Sequence, residues 1–178
     1  MVFTHDTELA LQAAAMLANS AEDPDTLLTV ADLDRVWTDF GYTGRHERTR
    51  AELDSVRAIR PRLRALLTAD RDTTVALVNE TLSRAGAVPQ LVEHGEFGWH
   101  IHAIDRDAPL DLRVLVDTAM AMIDVILADE LSRLALCADD TCESVVVDLS
   151  RNRSRRFCST TCGNRNAVAA YRARRAAD

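Results

Sequence analysis

The chain has 178 residues, with 28 acidic and 21 basic side chains for a formal net charge of −7, and it is 47% hydrophobic but only 4% aromatic. That length suits one mid-sized domain or a domain with a small appendage, and its aliphatic content builds a core of Leu, Val, Ile and Ala, which excludes disorder, collagen and a disulfide-stapled mini-protein. No basic-then-apolar leader opens the sequence and no apolar run approaches the ~20 residues of a membrane span, so the cytoplasm is the expected compartment and no membrane partner is expected.

In chain order, Leu9, Ala13, Met16 and Leu17 line one face of a first predicted helix from about residue 6, which the stretch from Glu22 to Asp25 ends. Thr29 with Asp32 three residues on has the form of a capping arrangement, and Leu33, Val36, Trp37 and Phe40 follow at helical spacing. A turn at Gly41 and Gly44 leads to a longer helical segment through Leu53, Val56, Ile59, Leu63, Leu66 and Leu67, which Pro61 is expected to kink or split. Asp72 begins another helix that Gly86 ends. Leu91–His94 and Trp99–His102 flank Gly95-Glu96-Phe97-Gly98 as a short β-hairpin, with His100 and His102 expected on its solvated face opposite Trp99, Ile101 and Ala103. From Pro109 the apolar series Leu112 to Leu134 predicts a helix of roughly 26 residues, about 40 Å long, running almost to Cys137.

The charge is unevenly placed. Residues 1–136 carry 13 Arg and 23 acids, net −10, and residues 137–178 carry 8 Arg and 5 acids, net +3. All basic residues are Arg, which reflects a GC-rich genome better than a mechanism. All four cysteines lie in the second part, so the expected division is an acidic helical body, 1–136, and a basic segment, 137–178.

That segment carries the sharpest signal: Cys137-x4-Cys142, fifteen residues, then Cys158-x3-Cys162. Two close cysteine pairs around a short insertion suit one tetrahedral ion with metal–sulfur bonds near ~2.3 Å. Ser144–Asp148 has strand character, 150–154 turn character and Arg155–Phe157 the character of a returning strand, while Ser159 or Thr160 can cap a helix that starts with Cys158 and Cys162. The expected fold is therefore mainly α with a small β-hairpin, ending in a treble-clef-like zinc finger with four cysteine ligands. A segment of about 42 residues is too small to fold on its own core, and one structural Zn2+ supplies the missing stabilisation. Four thiolates leave no open position for catalytic water.

The run from Arg155 to Arg165, which contains Cys162-Gly163-Asn164-Arg165, followed by Ala169 to Arg175, resembles the CGNR zinc finger family, as do Cys137-x4-Cys142 and the stretch from Asp148 to Asn152. In that family the finger follows an N-terminal helical ABATE domain, and the proteins are described as stress-induced bacterial transcription regulators. The resemblance implies a zinc-dependent DNA-binding tail.

The residues themselves agree with a nucleic-acid role. Arg151, Arg153, Arg155, Arg156, Arg165, Arg172, Arg174 and Arg175 put a dense positive field on a small finger. Arg172 and Arg175, three apart, share a helix face that suits a groove. The same arginines also suit solubilisation, or an intramolecular clamp on the acidic body. Asn164 and Arg165, next to the last cysteine, fit donors to metal-bound sulfur or partners of Asp148 as well as DNA contacts. An adaptor that binds RNA or a protein is the alternative function.

Elsewhere the signals are weaker. His94, His100 and His102 form a candidate metal group. Trp37, Phe40, Tyr42 and Trp99 fit core or rim positions, or the wall of a small-molecule pocket. No phosphate loop, nucleophile elbow or His-Glu-x-x-His helix occurs, so no enzyme is expected. The body is left as a ligand sensor or a homodimerisation unit.

Overall fold

The computed structural model describes residues 2–93 and 98–177, without the side chains of 176 and 177; His94 and the expected turn at 95–97 lie outside them. Among the described residues, six helices and two small antiparallel sheets follow one another as α1 His5–Asn19, α2 Val30–Asp39, α3 Arg50–Thr68, α4 Arg71–Ala85, β1 Gln90–Glu93, β2 Trp99–His102, α5 Leu110–Leu127, β3 Leu134–Leu136, β4 Val145–Val147 and α6 Thr160–Ala177. No helix among the described residues is long and apolar enough to cross a membrane.

Local chemistry fixes most helix ends. The hydroxyls of Thr4 and Thr49 and the Asp70 carboxylate accept backbone N–H groups at the starts of α1, α3 and α4. Thr29 and Asp32 close a full capping box on α2. Gly86, at φ 60°, ends α4 in the left-handed conformation that costs other residues most. The apolar faces of α1, α3, α4 and α5 then meet around Leu11, Leu17, Leu53, Leu63, Leu66 and Met122, all fully buried. Each such side chain contributes roughly 1.5–3 kcal/mol of transfer free energy.

Four expectations are corrected. First, of the two outcomes expected at Pro61, a split does not occur, and α3 continues across it. Proline at 61 removes the N–H that would bond the Arg57 carbonyl, and the Arg60 Nε donates to that carbonyl instead at 3.2 Å, so the acceptor is not orphaned. Second, α5 stops at Leu127 rather than continuing to residue 134. Asp129 adopts a left-handed φ of 57°, the Glu130 N–H turns back to the Val125 carbonyl, and a 3-10 turn at Leu131–Arg133 leads into β3. At 18 residues α5 is about 27 Å long. Third, within β2 the faces are reversed, with His100 buried and His102 half-buried while Trp99 and Ile101 are 68% and 52% exposed; Ala103, just past the strand, is buried as expected. Fourth, the strand paired with β4 is β3, in the register Leu134 with Val147 and Leu136 with Val145, and Arg155–Phe157 forms no strand.

The β3–β4 pair joins the two ends of the molecule. Val145 and Val147 project into the main core, while Val146 between them lies against Cys137 and Cys162. The Asn19 side chain, at the end of α1, brackets Val145 by donating to its carbonyl at 2.9 Å and accepting its N–H at 2.6 Å. Arg133 is buried and donates to the carbonyls of Asp148 and Ser150.

Candidate metal centre and basic helix

Each cysteine is placed by its own local device. Cys137 follows β3, and its N–H closes the hairpin on the Ser144 carbonyl at 2.8 Å. Cys142 sits in a turn built by Asp139, which accepts the Thr141 N–H and hydroxyl while its own carbonyl takes the Cys142 N–H. The loop after β4 is pinned by Asp148, whose carboxylate accepts the N–H groups of Ser150 and Arg155 at 2.8 Å each. The Ala138 N–H then bonds the Arg156 carbonyl at 2.9 Å, which brings Cys158 beside the first pair. Cys162 lies in the first turn of α6, its N–H accepted by the Ser159 hydroxyl at 3.2 Å.

The four sulfurs converge within 4.8 Å of one another. The Cys142–Cys158 and Cys158–Cys162 Sγ separations are 3.6 and 3.7 Å. A tetrahedron with metal–sulfur bonds of ~2.3 Å has edges of about 3.8 Å, so the arrangement fits a four-thiolate metal site. It does not fit disulfides, which need sulfurs ~2.05 Å apart, and all four cysteines are free. The Ser144 hydroxyl holds the Cys142 thiol down at about 7, whereas burial pushes Cys158 up to about 12. Four thiolates at these distances repel one another, and a divalent cation held by Cys137, Cys142, Cys158 and Cys162 would offset half of their charge.

Around this centre, Asp139 is 3% exposed and is held below the usual carboxylate range, chiefly by the Thr141 hydroxyl. It accepts from Arg165 Nη1 at 3.1 Å and from Asn166 Nδ2 at 2.9 Å, and Asn166 also reaches the Cys162 carbonyl at 3.0 Å. Arg165 therefore ties α6 to the first cysteine turn. Its partner is Asp139 and not Asp148, and among the described residues neither it nor Asn164, which is exposed, donates to a cysteine sulfur. Sequence reasoning missed Asp139 and Asn166, although Asp139-x-Thr141 before Cys142 is the pattern of a side-chain-capped turn.

The remaining arginines stand outside this network. Arg151, Arg153, Arg155, Arg156, Arg172, Arg174 and Arg175 are all exposed. Arg153 pairs with Glu130 at 2.8 Å and Arg155 Nη2 donates to the Cys158 carbonyl. Arg151, Arg156, Arg172, Arg174 and Arg175 have no ion pair among the described residues, and Arg153 alone of these seven pairs with an acid of the body. Beyond Asn166, every described residue of α6 up to Arg175 is exposed, including Val168 at 48% and Tyr171 at 54%. At 100° per residue Arg165, Arg172 and Arg175 fall within one 80° arc of that helix and Arg174 falls opposite.

In the body, a cleft of about 430 Å³ is lined by Phe40, Tyr42 and Trp99 among others. Trp37 is instead stacked on the His46 ring at 4.6 Å. His46, which pattern reading passed over, bridges Glu52 at 2.8 Å and Asp34 at 2.7 Å, so it anchors the loop between α2 and α3. His100 and His102 join through their Nε2 atoms at 2.9 Å, and among the described residues the only cluster suited to a metal is that of the four cysteines.

The ABATE family model, described as "Putative stress-induced transcription regulator", matches residues 11–129, and a CGNR zinc finger model matches residues 133–175. No curated protein matches the chain.

Proposed function

The chain belongs to the ABATE family and ends in a CGNR zinc finger, and from that premise we propose that it is a bacterial, cytoplasmic transcription regulator that binds DNA through the finger. One structural Zn2+ on Cys137, Cys142, Cys158 and Cys162 holds the finger together. It binds and does not catalyse.

The observation that carries the reading is α6 itself: a basic helix fixed in its first two turns by Cys162, Arg165 and Asn166, then bare to solvent for the rest of its described length. A major groove about 12 Å wide admits such a helix, with Arg172 and Arg175 turned to base edges or phosphates. The exposed turn with Arg151, Arg155 and Arg156 supplies a second phosphate grip. The body is the sensing or dimerising unit. Supporting a sensor, α1 lines the cleft with Thr7 and Ala10 and also grips β4 through Asn19.

Selection of genomic DNA fragments by the zinc-loaded protein tests this, run beside the double variant Cys158→Ser, Cys162→Ser. Enrichment is expected for the unaltered protein alone, with affinity falling steeply as salt rises, and enrichment that survives the cysteine changes overturns the assignment. Arg172→Ala with Arg175→Ala should lower the slope of log affinity against log salt by about 2. The alternative, an adaptor binding RNA or a protein, is favoured by Val168 and Tyr171 lying exposed beside those arginines. It predicts an interaction much less sensitive to salt when the partner is an apolar protein surface.

A further inference from the structure

The cleft in the body is formed by α1, α5, β2 and the chain after α2, and its volume of about 430 Å³ lies within the ~300–1,000 Å³ range of small-molecule sites. Asp6, Asp117 and Asp124 reach it against a single guanidinium, Arg113. The groups differ in what already holds them. Arg113 gives its donors to the carbonyls of Ala108, Thr43 and Arg45 and lies over the Trp37 ring at 5.3 Å. Asp124 accepts the Thr7 hydroxyl. Asp117 has neither a hydrogen bond nor an ion pair among the described residues, yet no buried side-chain oxygen lacks a partner, so its carboxylate oxygens keep their open surface on the cleft they line.

An ionised carboxylate that receives no hydrogen bond in the cleft it lines is costly, and a cation in that cleft offsets the cost. The geometry disfavours a metal ion. The two nearby imidazoles bond each other through their Nε2 atoms, His100 Nδ1 is on the Gly98 carbonyl at 2.8 Å, and no third ligand gathers with them among the described residues. The walls and mouth are apolar instead: Phe40 and Met120 line the cleft, and Leu91, Trp99 and Ile101 stand at its edge 68%, 68% and 52% exposed. An apolar wall and mouth that include Phe40 and Trp99, over an acidic floor, suit an organic ammonium group.

We infer that this cleft binds a small organic cation, an ammonium or amidinium on an aromatic or apolar frame, with the Asp117 carboxylate as its counter-ion. This names the ligand class for the sensing role proposed above and depends on that role only for the effect on DNA, not for binding.

Burial pushes Asp117 up to about 7, opposed by Arg113 on its own helix. Asp6 from α1, His100 from β2 and Tyr42 after α2 also face this region. A bound ammonium stabilises the ionised carboxylate, so binding strengthens as pH rises from 6 to 8 and releases a proton from Asp117.

The test is titration of the zinc-loaded full chain, without DNA, with three probes of one shape: 2-phenylethylammonium, 2-phenylethanol and phenylacetate, followed by calorimetry and Trp fluorescence. The ammonium is expected to bind at least tenfold more tightly than the alcohol, with phenylacetate weakest. Asp117→Asn should remove that tenfold preference and leave the alcohol within twofold. Equal binding of ammonium and alcohol, preference for phenylacetate, or no ammonium binding at millimolar concentration overturns the inference. The probe ranking on the unaltered chain decides even if the variant folds poorly, and because DNA is absent the result is independent of α6.

Discussion

The body and the finger are held together by different physics. Around Leu11, Leu63, Leu66 and Met122 the helices bury continuous apolar faces, and stability is spread over many side chains. Around Cys137 and Cys162 the buried apolar support is Val146, with Phe157 partly buried, while α6 extends from the site with its later turns unpacked. Between them stands β4, whose alternating valines serve both cores. With the proposed cation in place the finger has two anchors: that ion for its internal order, and the β3–β4 pair for its position on the body.

The sharpest way to break the contrast is to remove the metal. A chelator, or Cys158→Ser with Cys162→Ser, should cost the finger on the order of 10 kcal/mol and melt α6, while the body persists; circular dichroism should lose helix without losing the body's cooperative transition, and loss of that transition would show a single joint core. Leu63→Ala acts on the other side, at roughly 2–5 kcal/mol for a fully buried Leu, lowering the thermal midpoint of the body. Asn19→Ala removes both bonds to Val145 and should cost about 1–3 kcal/mol, read as faster amide exchange across β3 and β4. Protection unchanged there would mean the valines alone set the docking.

The smallest effect concerns pH. Asp25 is held at about 2, chiefly by its hydrogen bond to Arg60, which reaches both carboxylate oxygens at 3.0 and 2.9 Å. Its folded value lies below the ordinary 3.8, so the stabilisation is present above that pH and fades as pH falls toward 2. Urea midpoints of the native protein and Asp25→Asn should differ at pH 6 and converge near pH 2; a difference that persists unchanged to pH 2 would assign Asp25 a role other than this ion pair.

Where short-range chemistry decides, the residues were legible. The Thr29–Asp32 box, Gly86 as a helix end and the four-cysteine spacing each depend on groups a few residues apart or on a demanding ligand chemistry. Long-range competition misled the rest. The apolar series past Leu127 keeps a helical period, but Leu131 and Leu134 satisfy the core equally well from a 3-10 turn and a strand once β4 offers a ladder. Period-two alternation at 99–102 establishes that two faces differ and leaves open which one is inside. Here the inner face takes the histidines, with His100 Nδ1 on the Gly98 carbonyl and both residues lining the cleft.

By itself, then, the sequence determined a helical body, a four-cysteine centre and an arginine-dense end, since period, spacing and charge are properties of the chain alone. Only the tertiary structure decided that the sulfurs meet at 3.6–3.7 Å, that Arg165 belongs to Asp139 while Arg172 and Arg175 stay exposed, and that Asp117 lines a cleft without receiving a hydrogen bond among the described residues. Those facts depend on which distant segments come together, and burial, not composition, sets the energy of a charge.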